Sequence, residues 1–152
     1  MAQIAKAEGQ AEIKSSADKF YGFFKNNMSS FVQMFPQILK SFEVVGGGEI
    51  RTGSVTKWAF NIGRGVETAK LKIQEADDEN TSITFIGLEG DILKDYKSFK
   101  EKLQVIRAAN GGSIVKWTFE CEKADANAPD AKPYVDLSVQ VSKAIDAYLC
   151  RS

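Results

Sequence analysis

From Trp58 onward the chain alternates apolar and polar residues in short runs. A period of two marks strands with one buried face, because successive strand side chains point to opposite sides. Trp58, Phe60 and Ile62 share a face, with Lys57 and Asn61 opposite. Ala69, Leu71 and Ile73 share another, against Lys70, Lys72 and Gln74. Asp77-Asp78-Glu79-Asn80 reads as a polar turn, after which Ile83 and Phe85 point one way and Thr84 the other. Phe99, Glu101, Leu103 and Val105 then oppose Lys100, Lys102 and Gln104. Asn110-Gly111-Gly112 turns the chain, and Val115, Trp117, Phe119 and Cys121 form the inner face of the last strand. Residues 124–132, with Pro129, break the pattern. A helix follows, with Pro133 tolerated in its first turn. Tyr134, Leu137, Val141, Ala144, Ile145 and Tyr148 recur at helical spacing and make an apolar stripe, leaving Asp136, Gln140, Lys143 and Asp146 to water.

The N-terminal third follows a different order. Residues 3–14 read as a first strand. Ser15-Ser16-Ala17-Asp18 supplies a helix N-cap with an acid in the first turn, ahead of Phe20, Phe23 and Phe24 on one face. The helix ends near Asn26-Asn27. Ser29 or Ser30 caps a second short helix through Phe31, Val32 and Phe35, which Pro36 stops. Two short helices back to back suit a V-shaped support. Residues 38–45 read as strand two, followed by the glycine-rich run 46–54. That run lacks the Gly-Lys-Ser/Thr ending of a phosphate loop and leads into a strand rather than a helix, so it reads as a strand-to-strand turn.

A sheet followed by one long covering helix can curl around that helix and leave a hollow. The ten Phe, two Trp and four Tyr could fill such a hollow or line it.

Composition narrows what the hollow could do. Residues 1–152 are expected to form one domain. Twenty Lys and Arg balance twenty Asp and Glu, which leaves no electrostatic footprint for nucleic acid or an anionic membrane. With no histidine there is no Ser-His or Cys-His pair, no His-ligated zinc and no imidazole acid/base. Scattered carboxylates without His or paired Cys read as surface, so neither metal nor cofactor is expected. Two cysteines, Cys121 and Cys150, do not make a disulfide framework, and Cys121 reads as an inert inward hydrophobe. No signal-like leader and no 18-residue apolar run are apparent, so the expected address is the cytosol and no membrane partner is expected.

Glu101 is the odd residue on an inward face. A carboxyl facing an apolar hollow has a raised pKa and suits a general acid/base or a ligand anchor. Equally, Glu101 could sit at a wet mouth or pair with a Lys or Arg of a neighbouring strand.

Three stretches carry a family resemblance: Gly87-Leu-Glu-Gly-Asp-Ile-Leu-Lys-Asp-Tyr-Lys-Ser-Phe99 followed by Leu103-Gln-Val, then Ser113-Ile-Val-Lys-Trp-Thr-Phe-Glu-Cys-Glu-Lys123, and Ile145-Asp-Ala-Tyr-Leu149. Together with the element order they resemble the plant major latex protein branch of the birch pollen allergen superfamily, over essentially the whole chain. The resemblance implies an α+β helix-grip fold: a seven-stranded antiparallel sheet wrapped around a long C-terminal helix, two short helices in a V, and a large, mostly apolar cavity. It implies binding or carriage of a hydrophobic small molecule of steroid, fatty-acid, phenolic or alkaloid class, in plant defence or stress response, by a monomer or weak dimer. A few relatives are enzymes of alkaloid pathways, so an isomerase or cyclase working through Glu101 is the alternative. Relatives with ribonuclease activity offer a third reading, which balanced charge and absent histidine make poor. At the place of Glu101 family members commonly carry a small residue, often Ala. The cavity wall expected on this basis is Phe24, Trp58, Phe60, Leu71, Phe85, Phe99, Glu101, Leu103, Trp117, Phe119, Tyr134, Leu137 and Val141.

Overall fold

The computed structural model describes residues 3–151. The chain runs β1 (Gln3–Ile13), α1 (Ala17–Asn26), a 3-10 turn (Met28–Ser30), α2 (Phe31–Met34), β2 (Leu39–Val44), β3 (Val55–Asn61), β4 (Val66–Asp77), β5 (Ser82–Gly90), α3 (Ile92–Asp95), β6 (Tyr96–Arg107), β7 (Ser113–Lys123) and α4 (Lys132–Leu149). All strand pairs are antiparallel, in the order β1-β7-β6-β5-β4-β3-β2. Strands β1 and β2 are therefore the edges of an open sheet. Register shifts between Lys70 and Leu71 and between Ile73 and Glu75 break the β4–β5 ladder, irregularities of the kind that bend a strand and increase its twist.

Local chemistry sets the helices. Ser16 is extended, and its hydroxyl accepts the Lys19 N–H at 3.2 Å, while Asp18 sits in the positive first turn of α1. The buried stripe of α1 is Ala17, Phe20, Tyr21 and Phe24. Tyr21 thus takes the place expected for Phe23, which is half-buried and packs on Tyr148 with ring centroids 5.4 Å apart. Neither Ser29 nor Ser30 caps α2; both belong to the 3-10 turn, which runs directly into the helix without a side-chain cap. The turn α3 falls inside the stretch expected to join two strands. It is one helical turn long, too short to show a helical period.

Helix α4 lies against the curled sheet closely enough that Gly9 of β1 has no room for a side chain. A Cβ there would stand 2.5 Å from Val135 Cγ1. The helix buries Val135, Ser142, Ile145 and Leu149, whereas Ala144 and Tyr148 are exposed, contrary to the expected stripe. The sheet-packed face is rotated from the anticipated one, because Tyr134, Leu137 and Val141 belong to a second face turned to the cavity. Asp146, expected in water, instead holds the β1–α1 turn. Its carboxylate accepts the Lys14 N–H at 3.0 Å, the Ser15 N–H at 2.9 Å and the Ser15 hydroxyl at 2.6 Å. Burial alone would raise its pKa, but these hydrogen bonds hold it below the usual carboxylate value.

Candidate functional site

Between the concave face of the sheet and α4 lies a cavity of about 140 Å³. Its depth is set by inward residues of the central strands: Leu71 of β4, Phe85 of β5, Phe99 and Glu101 of β6, and Trp117 and Phe119 of β7. Phe85, Phe99, Trp117 and Phe119 are each no more than 3% exposed. Trp58 and Phe60 of β3 continue the wall, Phe24 of α1 closes one end, and Tyr134, Leu137 and Val141 of α4 form the opposite side. The side toward α4 and the β2–β3 edge is less deeply covered, with Trp58, Ile62, Leu137 and Val141 only half-buried.

Leu103 is the exception among the expected wall residues. It is fully buried in the core and is not among the residues that line the hollow. Alternation puts Leu103 and Glu101 on one face and cannot say which part of that face is filled. The wall also contains Phe31, Ile38, Leu39, Ile62, Ala69, Ile92 and Ser138. Ile62 and Ala69 share strand faces with Trp58 and Leu71, so a full reading of those faces would have found them. Ile92 could not be found so, because it enters from the unanticipated turn α3.

The aromatic groups interlock. Tyr134 packs on Phe99 at 5.7 Å and on Phe119 at 6.1 Å, Phe99 meets Phe119 edge-on at 5.8 Å, and Phe24 meets Trp117 edge-on at 5.6 Å. The two indoles keep their polar edges out of the hollow: Trp58 Nε1 donates to Thr56 Oγ1 and Trp117 Nε1 to Ser142 Oγ, both at 2.8 Å. The Tyr134 hydroxyl accepts from Arg64 Nη2 at 3.3 Å, and Arg64 in turn pairs with Glu67 and Asp95. Burial, chiefly, pushes the Tyr134 phenol up to about 12. Two other tyrosines have structural partners: Tyr21 donates to Asp78 Oδ1 and Tyr96 to the Pro129 carbonyl, each at 2.7 Å.

Glu101 stands apart chemically. In the ladders it pairs with Phe85 on one side and Phe119 on the other. It is half-buried on the cavity wall, and among the described residues no hydrogen bond or ion pair reaches its carboxyl. The expected alternative of a Lys or Arg partner is therefore not realised. Burial alone pushes its pKa up to about 8, so the group is mainly neutral at pH 7. Nearby Cys121 is buried and its thiol is pushed up to about 12, which leaves it inert.

The glycine-rich run 46–54 carries no anion cradle. Gly47 N–H goes to the Val44 carbonyl and Gly53 N–H to the Ile73 carbonyl, and β3 rather than a helix follows. Among the described residues there is no cluster of three or more metal-ligating side chains, and no helix is long and apolar enough to cross a membrane.

The family model of the pathogenesis-related protein Bet v 1 family matches residues 2–152. The chain belongs to that family. Within the Bet v 1 family it falls in the major latex protein branch. It is 35% identical over 145 residues to MLP-like protein 31 of Arabidopsis thaliana, covering 95% of this chain and 85% of that protein. Major latex protein 146 of Papaver somniferum is 29% identical over 153 residues, covering 98% and 93%. Among solved structures, ginseng major latex-like protein 151 from Panax ginseng superposes with a TM-score of 0.87 at 26% identity, covering 95% of this chain and 97% of that one. Norcoclaurine synthase from Thalictrum flavum shares the Bet v 1 fold with a TM-score of 0.81 at 15% identity, covering 99% and 97%.

Proposed function

We propose that this major latex protein binds a hydrophobic small molecule in the cavity between sheet and α4, as a carrier or reservoir in plant defence or stress response. The supporting observation is the hollow itself. Its wall is almost wholly apolar, and both indole N–H groups are satisfied within the protein, so the wall offers an apolar guest burial at roughly 25 cal/mol per Å². A cavity of roughly 150 Å³ accepts a benzene ring. The 140 Å³ hollow therefore takes one aromatic ring as it stands. That favours phenolic or ring-bearing alkaloid-type guests over steroids or long fatty acids, which need the half-buried wall at Ile62, Leu137 and Val141 to move outward. We take the cytosol as the working compartment, where the free thiols Cys121 and Cys150 remain reduced.

Native mass spectrometry of protein isolated from its own tissue tests this reading. A stoichiometric lipophilic passenger is expected. Protein that arrives empty and binds nothing from a broad lipophilic panel refutes it.

One observation favours a second reading, an isomerase or cyclase in the same cavity. Burial on an almost wholly apolar wall lets Glu101 hold its proton near neutral pH, the condition for proton transfer to or from a bound carbonyl or amine. The Thalictrum protein of like fold is a norcoclaurine synthase seen in complex with dopamine and hydroxybenzaldehyde. On this reading Glu101→Gln abolishes turnover while the ligand still binds; unchanged turnover rejects it.

A further inference from the structure

The wall contains a carboxyl but no cation. Among the residues that line the cavity there is no Lys, Arg or His, and Glu101 is the one carboxylic acid. The two indoles are engaged with Thr56 and Ser142, and the Tyr134 hydroxyl accepts from Arg64, which leaves the Ser138 and Tyr134 hydroxyls as the other polar groups on the wall. Glu101 is paired in the ladders with Phe85 on β5 and Phe119 on β7, Cys121 of β7 lies close enough to interact electrostatically with it, and α4 contributes Tyr134, Leu137, Ser138 and Val141 to the same cavity wall. The thiol and the phenol both stay protonated to about 12, so neither places a charge beside Glu101 between pH 5 and 9.

Resting on the cavity-binding reading, we infer that Glu101 sets the ligand class. The cavity takes an uncharged one-ring aromatic molecule with a single oxygen acceptor, such as an aryl ketone or aldehyde, and the protonated carboxyl donates a hydrogen bond to that oxygen.

Each alternative meets a specific physical obstacle. An anionic guest such as an aryl carboxylate finds no cation, and one hydrogen bond from Glu101 does not offset the loss of a full charge's hydration. An ammonium brings three N–H donors to a wall whose side-chain acceptors are Glu101 and the Ser138 and Tyr134 hydroxyls, and its charge demands that Glu101 ionise in apolar surroundings. A guest with no polar group leaves the carboxyl as unpartnered as it is in the empty protein. An oxygen acceptor satisfies the carboxyl O–H without burying any charge. Size points the same way, since one ring fills about 140 Å³.

A matched set of nearly isosteric probes tests the assignment by calorimetric titration: acetophenone, ethylbenzene, benzoate and 1-phenylethylamine. At pH 7 acetophenone should bind about tenfold tighter than ethylbenzene, the worth of one well-placed hydrogen bond. Benzoate and the amine should bind more weakly than either. Glu101→Leu should bring acetophenone and ethylbenzene to within about twofold of each other, because the donor is gone. Glu101→Gln should keep the preference, since its amide N–H still donates. It should also abolish the loss of acetophenone affinity that the wild type shows above pH 8, where the carboxyl ionises. Thermal unfolding of both variants verifies the fold. Equal binding of acetophenone and ethylbenzene by the wild type, tighter binding of benzoate or the amine, or a preference that survives in Glu101→Leu overturns the role of Glu101 and leaves the cavity reading standing. Failure of all four probes to bind overturns both.

Discussion

Glu101 and Phe119 face each other in register across the β6–β7 ladder, a carboxyl set beside a phenyl ring at the wall of an apolar hollow. A side chain that ordinarily seeks water is placed there by strand alternation. Because no donor or cation compensates it, its protonation state is coupled to the stability of the fold.

The sign of that coupling is fixed by the raised pKa. An unfolded Glu loses its proton near pH 4.5, whereas the folded one keeps it until about pH 8. The folded state thus binds the extra proton between those values. Stability contributed by the neutral acid is complete below pH 4.5, declines as pH rises through the window, and is gone above pH 8. Glu101→Gln should match the wild type within about 1 kcal/mol at pH 5 and exceed it by on the order of 3 kcal/mol at pH 9. Urea unfolding of both proteins at the two pH values measures this. A difference independent of pH contradicts it.

Asp146 should show the opposite dependence. Its pKa is lowered in the folded state by hydrogen bonds from Ser15 and Lys14, so its contribution is present above the unfolded carboxylate value and fades as pH falls below about 4. Asp146→Ala should cost about 2 kcal/mol at pH 7, since it leaves the Ser15 and Lys14 donors without their acceptor. The loss should shrink as pH approaches 3. Chemical denaturation across that range gives the comparison, and a loss that stays constant to pH 3 excludes the proposed clamp.

Ser142 is fully buried, accepts the Trp117 indole N–H at 2.8 Å and itself donates to the Ser138 carbonyl at 2.8 Å. Removing the hydroxyl strands an indole donor inside the protein. Ser142→Ala is expected to cost about 1–3 kcal/mol, with a change in Trp117 fluorescence. No change in either stability or emission would show that the indole finds another acceptor.

Gly9→Ala should destabilise the protein by about 1–3 kcal/mol through collision with Val135. Val135→Ala should relieve most of that cost in the double variant, because its Cγ1 atom makes the contact. A double-mutant cycle measures the coupling; strictly additive losses contradict direct contact.

Much of this architecture was legible in the sequence. Strands β3 to β7 each have one face toward the interior, so their alternation is plain, and twelve of the thirteen expected wall residues stand on the cavity wall. Leu103 fails because periodicity reports a face and not its free volume; whether a face is wall or filled core depends on how the sheet curls over it. The same limit hides the cavity's size. The turn α3 leaves no periodic trace because it is a single turn between strands. Asp146 reads as a surface acid in any helical projection, since its partners lie at Lys14 and Ser15, far away along the chain. Ile145 is buried as its helical spacing suggests, but Ala144 and Tyr148 at equally plausible spacing are exposed, and Val135, Ser142 and Leu149 are buried in α4 beside Ile145.

The most direct measurement is calorimetric titration of ethylbenzene into the wild-type protein and into Val141→Phe, whose larger ring fills the hollow from α4. Saturable one-to-one binding by the wild type is expected, and binding at least about tenfold weaker by a variant that still unfolds cooperatively. Absence of binding to the wild type, or equal affinity for both proteins, would show that the cavity is not where this protein takes an apolar guest.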